Sequence, residues 1–214
     1  MSTWISNPAL FSAALFGAAF LLMTACTSQS PASRAASVPD ALRWLPVLDS
    51  AVVIAAPPGY CIDIPASRSE RQDAFVLLAS CQSVTGDTDA PVPAAAGLLT
   101  ASVDGAGTGT MPPQQDLDTF FASPIGRSAL SRKGDPDAVD IGERRFRDGA
   151  YMLHVRERTD DPVMGSQSWR AVFEVNERLV TATLREMVES PISVGEGFRT
   201  IERFARDIRR ASPQ

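Results

Sequence analysis

The strongest constraint in this sequence lies between Trp169 and Leu184, where a turn and an alternating apolar pattern agree on one register. Asn176-Glu177 separates two runs rich in aromatic, β-branched and small residues. A two-residue turn there sets Phe173 opposite Val180, Ala171 opposite Ala182 and Trp169 opposite Leu184. One face is then apolar throughout, and the other carries Arg170, Glu174, Thr181, Thr183 and Arg185. Side chains in a strand alternate with period two, so a slip of one residue would turn the whole apolar set to water. The segment is expected to be an antiparallel hairpin with one face on a core.

A second hairpin is expected just before it. Asp148-Gly149 is a strong turn signal, joining Ala138–Arg147 to Ala150–Arg158. Tyr151, Leu153 and Val155 alternate onto one face. In the partner strand Val139 and Ile141 have the opposite parity to Phe146, which predicts a bulge near residues 143–145. A last amphipathic helix is expected over Gly195 to Arg210. Phe198, Ile201, Phe204, Ala205 and Ile208 form its apolar stripe, and Glu202–Arg206 and Arg203–Asp207 are spaced i,i+4 on its outer face.

The first half has the same grammar. Two apolar pieces, Ala41 to Leu45 and Ala51 to Ala56, precede a turn at Pro57-Pro58-Gly59. Strands are expected at Tyr60–Ile64, Phe75–Cys81 and Leu98–Val103, with a polar connection over Pro65–Asp73 and an acidic loop over 82–96. A Gly/Pro loop, Asp104–Gln115, carries glycines 105, 107 and 109 but neither the GxxxxGK[ST] pattern nor a nearby lysine, so it reads as loop rather than phosphate cradle. Asp116–Lys133 is helical in pattern, with a break at Ser123-Pro124, an N-cap and N1 pair. Three strands, a helix, three strands and a helix read as α+β: an antiparallel sheet with two helices packed on it.

The N-terminus carries an address rather than a fold. An uncharged apolar run from Pro8 to Ala25 ends in Leu22-Met23-Thr24-Ala25-Cys26. This resembles a bacterial lipoprotein signal peptide, residues 1–25, with Cys26 the lipidated residue. Two departures are Met23 where Leu is usual and the absence of Lys or Arg from residues 1–7. The alternative is an uncleaved helix at the short end of the roughly 17–25 residues a span needs, and it gives no reason for a cysteine after Thr-Ala. Residues 26–39, rich in Ser, Ala and Pro, read as a flexible tether. Thr27 in place of Asp implies, by the same resemblance, the outer membrane facing the periplasm. Residues 40–214 are expected to form a single periplasmic domain. About 170 residues suffice for a core of its own.

With Cys26 acylated, Cys61 and Cys81 remain, an even pair in an oxidising compartment, and a Cys61–Cys81 disulfide is expected. The formal net charge of −5 leaves no electrostatic footprint for nucleic acid, and of the 20 basic residues all but Lys133 are arginine, a mark of genome composition.

The segments Gly59-Tyr60-Cys61-Ile62-Asp63, Phe75 to Cys81 and Gly126 to Arg132 resemble an uncharacterised family of alphaproteobacterial envelope proteins, over residues 50–212. Members are sometimes called cation-transport ATPases. This sequence has neither a DKTGT motif nor a P-loop nor a bundle of membrane helices. The element order also resembles the PsbP/Mog1-like fold, a non-catalytic α+β architecture.

Few residues offer chemistry. His154 is the sole histidine, expected opposite Glu143 on the less apolar face as a surface cross-strand pair rather than a catalytic base. One histidine and two bridged cysteines cannot make a zinc site. Asp135, Asp137 and Asp140 are oxygen ligands at short spacing without the EF-hand glycine or terminal glutamate, and read as a solvated loop. Arg144, Arg145, Arg147, Arg156 and Arg158 crowd one hairpin, balanced by Glu143, Asp148 and Glu157. The sequence therefore implies no cofactor, metal or catalytic residue. The expected function is a lipid-anchored envelope protein acting by contact with protein or cell envelope. A small-ligand or lipid carrier with a pocket between sheet and helices is the alternative, and an enzyme a third reading.

Overall fold

The computed structural model describes residues 41–105 and 109–213. The expected signal peptide, Cys26 and the tether lie outside them, as does Gly107. The strands are β1 Trp44–Val47, β2 Val52–Ala55, β3 Tyr60–Ser69, β4 Asp73–Ser80, β5 Gly97–Asp104, β6 Val139–Arg147, β7 Ala150–Glu157, β8 Met164–Val175 and β9 Arg178–Met187. The helices are α1 Cys81–Thr85, α2 Gln114–Ala122, α3 Pro124–Leu130 and α4 Val194–Ala211, with a 3-10 turn at Pro136–Ala138.

Seven strands form one antiparallel sheet in the order β3-β4-β5-β9-β8-β7-β6. It consists of two meanders joined back to back. The chain leaves β5, passes through α2 and α3 to the far edge at β6, and returns strand by strand until β9 pairs with β5. The pair β1-β2 makes a separate two-stranded ribbon. The Asn176-Glu177 turn has both residues at positive φ, and the three expected pairs, Phe173 with Val180, Ala171 with Ala182 and Trp169 with Leu184, all form.

Both faces of the sheet are covered around β7 and β8. α4 packs on one face together with β2, burying Phe198, Ile201, Phe204, Ala205 and Ile208 against Trp169, Phe173 and Leu184. α2 and α3 cover the other, where Leu117, Phe121 and Leu130 meet Tyr151, Leu153 and Val155. Phe121 and Tyr151 stack at 5.8 Å. α4 starts in a capping arrangement: the Ser193 hydroxyl accepts from the Glu196 N–H and donates to the Glu196 carboxylate. Ser123 caps α3, accepting from the Gly126 N–H, with Pro124 at its first position.

Several expectations need correction. The second half holds four strands, two per hairpin, not three. The expected first helix is two helices meeting at Ser123, and α1 adds a short turn, so the sheet carries more than two helices. β3 runs on to Ser69 with a bulge between Asp63 and Arg68, where a polar connection was expected; its alternation is masked by the exposure of its second half. The β6 bulge lies at Gly142-Glu143, one residue earlier than expected, between the pairs Ile141–Val155 and Arg144–Leu153.

Candidate functional site

The bulge on β6 places two residues opposite one, and that one is His154. Its side chain points to the α4 face of the sheet, 2 % exposed, stacked on Trp169 at 5.1 Å. The expected surface pair with Glu143 is therefore wrong. Glu143 is exposed and pairs with Arg145 at 2.7 Å, which holds its carboxyl below the ordinary range. The reason is layering: with helices on both faces, β7 is buried on both, and its less apolar face is still interior.

His154 ends a chain of buried and half-buried hydrogen bonds. Its Nε2–H donates to Gln167 Oε1 at 2.9 Å. The Gln167 side-chain amide donates to Glu186 Oε2 at 3.0 Å, and its backbone N–H donates to Glu186 Oε1 at 3.0 Å. Ile192 N–H donates to the same carboxylate at 3.2 Å. Burial pushes the imidazole below its ordinary value of 6.5, outweighing the Gln167 bond that raises it. The ring is neutral at pH 7, with its one proton committed to Gln167.

Three glycines make room for this network. A Cβ at Gly142 would lie 2.7 Å from His154 Nδ1, and one at Gly165 would lie 2.3 Å from the Glu186 side chain. At Gly197 on α4 a Cβ would lie 2.0 Å from the Trp169 indole, whose Nε1–H is buried with no partner among the described residues. Gln167 and Glu186 were missed from sequence. Their signal was parity: each lies two residues beyond Trp169 or Leu184, on the same apolar face.

A second polar cluster sits on the opposite face. Glu157 accepts from the Ser131 hydroxyl, the Arg132 N–H and Arg185 Nη2. Burial alone would raise its carboxyl, but these donors outweigh it and hold it low. Arg170 donates to the carbonyls of Ala129 and Leu130, closing the C-terminal end of α3, and burial lowers its pKa to about 10. This cluster ties α3 to the sheet.

The remaining expected residues fall as follows. Cys61 and Cys81 form a disulfide, with Cα atoms 4.7 Å apart, and both are buried. Asp135 caps the 3-10 turn by accepting from the Asp137 N–H. It does not converge with Asp137 and Asp140: among the described residues no three acidic, His or Cys side chains gather in a metal-holding group. The hairpin arginines are mostly engaged: Arg144 with Asp118, Arg145 with Glu143 and the Phe198 ring, Arg147 with Glu202, and Arg158 with the Asp137 carbonyl.

Two open clefts run along α4. One, of about 420 Å³, is lined by Pro58, Tyr60, Val92, Glu196, Arg199 and Arg203. The other, of about 380 Å³, is lined by Arg43, Trp44, Pro58, Arg203, Asp207 and Arg210. They share Pro58 and Arg203. Neither expected i,i+4 pair on α4 closes within 4 Å; Glu202 reaches Arg147 instead. Among the described residues no helix is long and apolar enough to cross a membrane. No protein-family model, curated protein or solved structure matches this chain.

Proposed function

We propose that this chain is a lipid-anchored envelope protein that works by contact with other envelope components rather than by catalysis. The observation that carries this reading is the confinement of His154. The one imidazole is buried, neutral, stacked on Trp169 and bonded to Gln167, so it is spent on the core. A general base must reach the proton it removes. The Cys61–Cys81 bridge supports an oxidising compartment, consistent with an anchor at Cys26 on the periplasmic side of the outer membrane. The α+β layering, with α4 on one face of an antiparallel sheet, supports the PsbP/Mog1-like arrangement as a proposal, while the alphaproteobacterial envelope resemblance rests on the sequence segments alone. A carrier would need space between sheet and α4, and that space is filled by Trp169, Phe173, Phe198 and Phe204, all 0 % exposed.

Two measurements test the reading. Mass spectrometry of the membrane fraction is expected to show an acylated N-terminal Cys26; a mature chain retaining residues 1–25 overturns the anchor. Complementation of a gene deletion by His154→Gln, at normal accumulation, is expected to be full; failure to complement at normal accumulation overturns the non-catalytic reading.

A further inference from the structure

The outer face of α4 is unlike the rest of the molecule. Arg199, Arg203, Arg206 and Arg210 follow one another at i, i+4, i+7 and i+11, which puts all four on the crest opposite the buried stripe. None makes an ion pair within 4 Å or a hydrogen bond among the described residues, although Arg144, Arg145 and Arg147 of the neighbouring hairpin do. Arg43 joins them across the smaller cleft; its Nη2 donates to the Ala56 carbonyl, and its Nε–H is buried with no partner among the described residues. The acids on this face are Glu196, which is used in the Ser193 cap, Glu202, which reaches Arg147, and Asp207, whose carboxyl is raised by burial against the pull of Arg206, Arg203, Arg210 and Arg43. A chain of net charge −5 has thus gathered five arginines against three acids on one face.

Two large apolar side chains stand among these arginines. Trp44 and Val92 are each 61 % exposed, and Trp44 lines the cleft with Arg203 and Arg210. Indole rings favour the headgroup level of a bilayer, and arginines beside them are drawn to its phosphates. Trp44 is also close to where the chain enters the domain. Only Cys26 to Asp40 would separate the acylated residue from the described chain, and a flexible tether of that length spans about 20 Å on average.

We propose that this face, the arginine crest of α4 with Arg43, Trp44 and Val92, docks on the anionic phospholipid headgroups of the membrane that holds the anchor. The proposal rests on the anchor reading, because the tether supplies the high local concentration that a shallow charged face needs. The docked domain lies with α4 against the bilayer and presents the opposite side of the sheet, with α2 and α3, to the periplasm.

Trp44 reports on this directly. The sequence has three tryptophans, of which Trp4 lies in the expected signal peptide and Trp169 is fully buried. The test uses the mature chain purified from membranes and reconstituted into vesicles whose acyl chains carry bromine, a fluorescence quencher. One set is phosphatidylcholine alone; the other includes phosphatidylglycerol. Quenching of Trp44 is expected in the anionic vesicles, and it should fall several-fold in neutral ones or on adding salt. The double variant R203E/R210E, both positions exposed, should lose the quenching while keeping its thermal unfolding midpoint. The charge-matched control R71E/R156E, at two exposed positions outside both α4 clefts, should retain it. Absence of quenching in anionic vesicles to which the chain is bound, or quenching unchanged in R203E/R210E, overturns the proposal and assigns the face to an acidic protein or cell-wall partner. The anchor is scored separately, by the mass of the N-terminal residue and by flotation with neutral vesicles, so the two failures are distinguishable.

Discussion

His154 lies in the interior where the sequence pattern pointed to the surface, so removing it costs more than a surface pair would. His154→Ala removes a stacked ring and leaves Gln167 Oε1 without its donor. The expected loss is about 3 kcal/mol, the scale of a large-to-small core change with a stranded polar group. A urea titration of the variant checks this; a loss below about 1 kcal/mol would restore the surface picture. The imidazole also sets a pH dependence. Its folded pKa is depressed below 6.5, so the unfolded chain binds the proton first as pH falls. Stability is therefore complete above about 6.5 and declines below it, until the folded pKa is reached. Glu157, depressed from 4.5, adds its own loss only at lower pH. Because His154 is the sole histidine, His154→Gln should flatten the stability profile just below pH 6.5; an unchanged slope there would assign the proton elsewhere.

At the scale of elements, turns and parity were legible and layers were not. The Asn176-Glu177 register was readable to the residue because a two-residue turn and an alternating face give the same answer. The α4 stripe was equally clear, since all five expected apolar residues are buried. The His154–Gln167–Glu186 chain was hidden because polar residues on an apolar face look like the end of a strand. The 187–192 turn and α4, which lie 20 or more residues from Gln167, cover them on one side, and the β6 bulge closes over His154. Two predictions follow the same geometry. Glu177 holds φ 60°, a left-handed conformation that costs a side chain about 1 kcal/mol. Glu177→Gly should make the turn Asn-Gly and raise stability by about that amount in thermal or urea unfolding, whereas a decrease would mean its side chain is needed. Gly197→Ala should do the opposite. Its Cβ would meet the Trp169 indole at 2.0–2.5 Å, with the sheet behind it, so helix and sheet must part. A loss of 3 kcal/mol or more is expected, at about the upper end of overpacking costs, together with exposure of Trp169 seen as a red-shifted fluorescence.

Across the whole molecule the sheet is unequally secured. β9 and β8 lie centrally, with a strand on each side and α4 packed on them, while β3 is an edge whose only strand partner in the sheet is β4. β3 also carries the bulge between Asp63 and Arg68, where ladder pairing lapses. The Cys61–Cys81 bridge sits at the well-paired end of that strand, joining β3 to the first residue of α1 across the whole β3-β4 hairpin. It closes a loop of 20 residues, for which the chain-entropy account gives about 3 kcal/mol. Reduction should therefore lower stability by about that amount without dissolving the central sheet. The loss should be local first: amide exchange at Tyr60–Ile62 should rise toward that of exposed segments, while Trp169–Phe173 keeps the protection of the core. Thiol labelling of the denatured, unreduced chain provides the companion check, with no label expected at Cys61 or Cys81; label at both would remove the bridge and its support for an oxidising compartment. A Cys61→Ser/Cys81→Ser variant should reproduce the reduced protein's stability. If that variant matched the oxidised protein instead, the edge would be secured by the β3-β4 pairing, the Ile62 N–H bond to the Leu42 carbonyl and the Tyr60 hydroxyl bond to the Ala95 carbonyl.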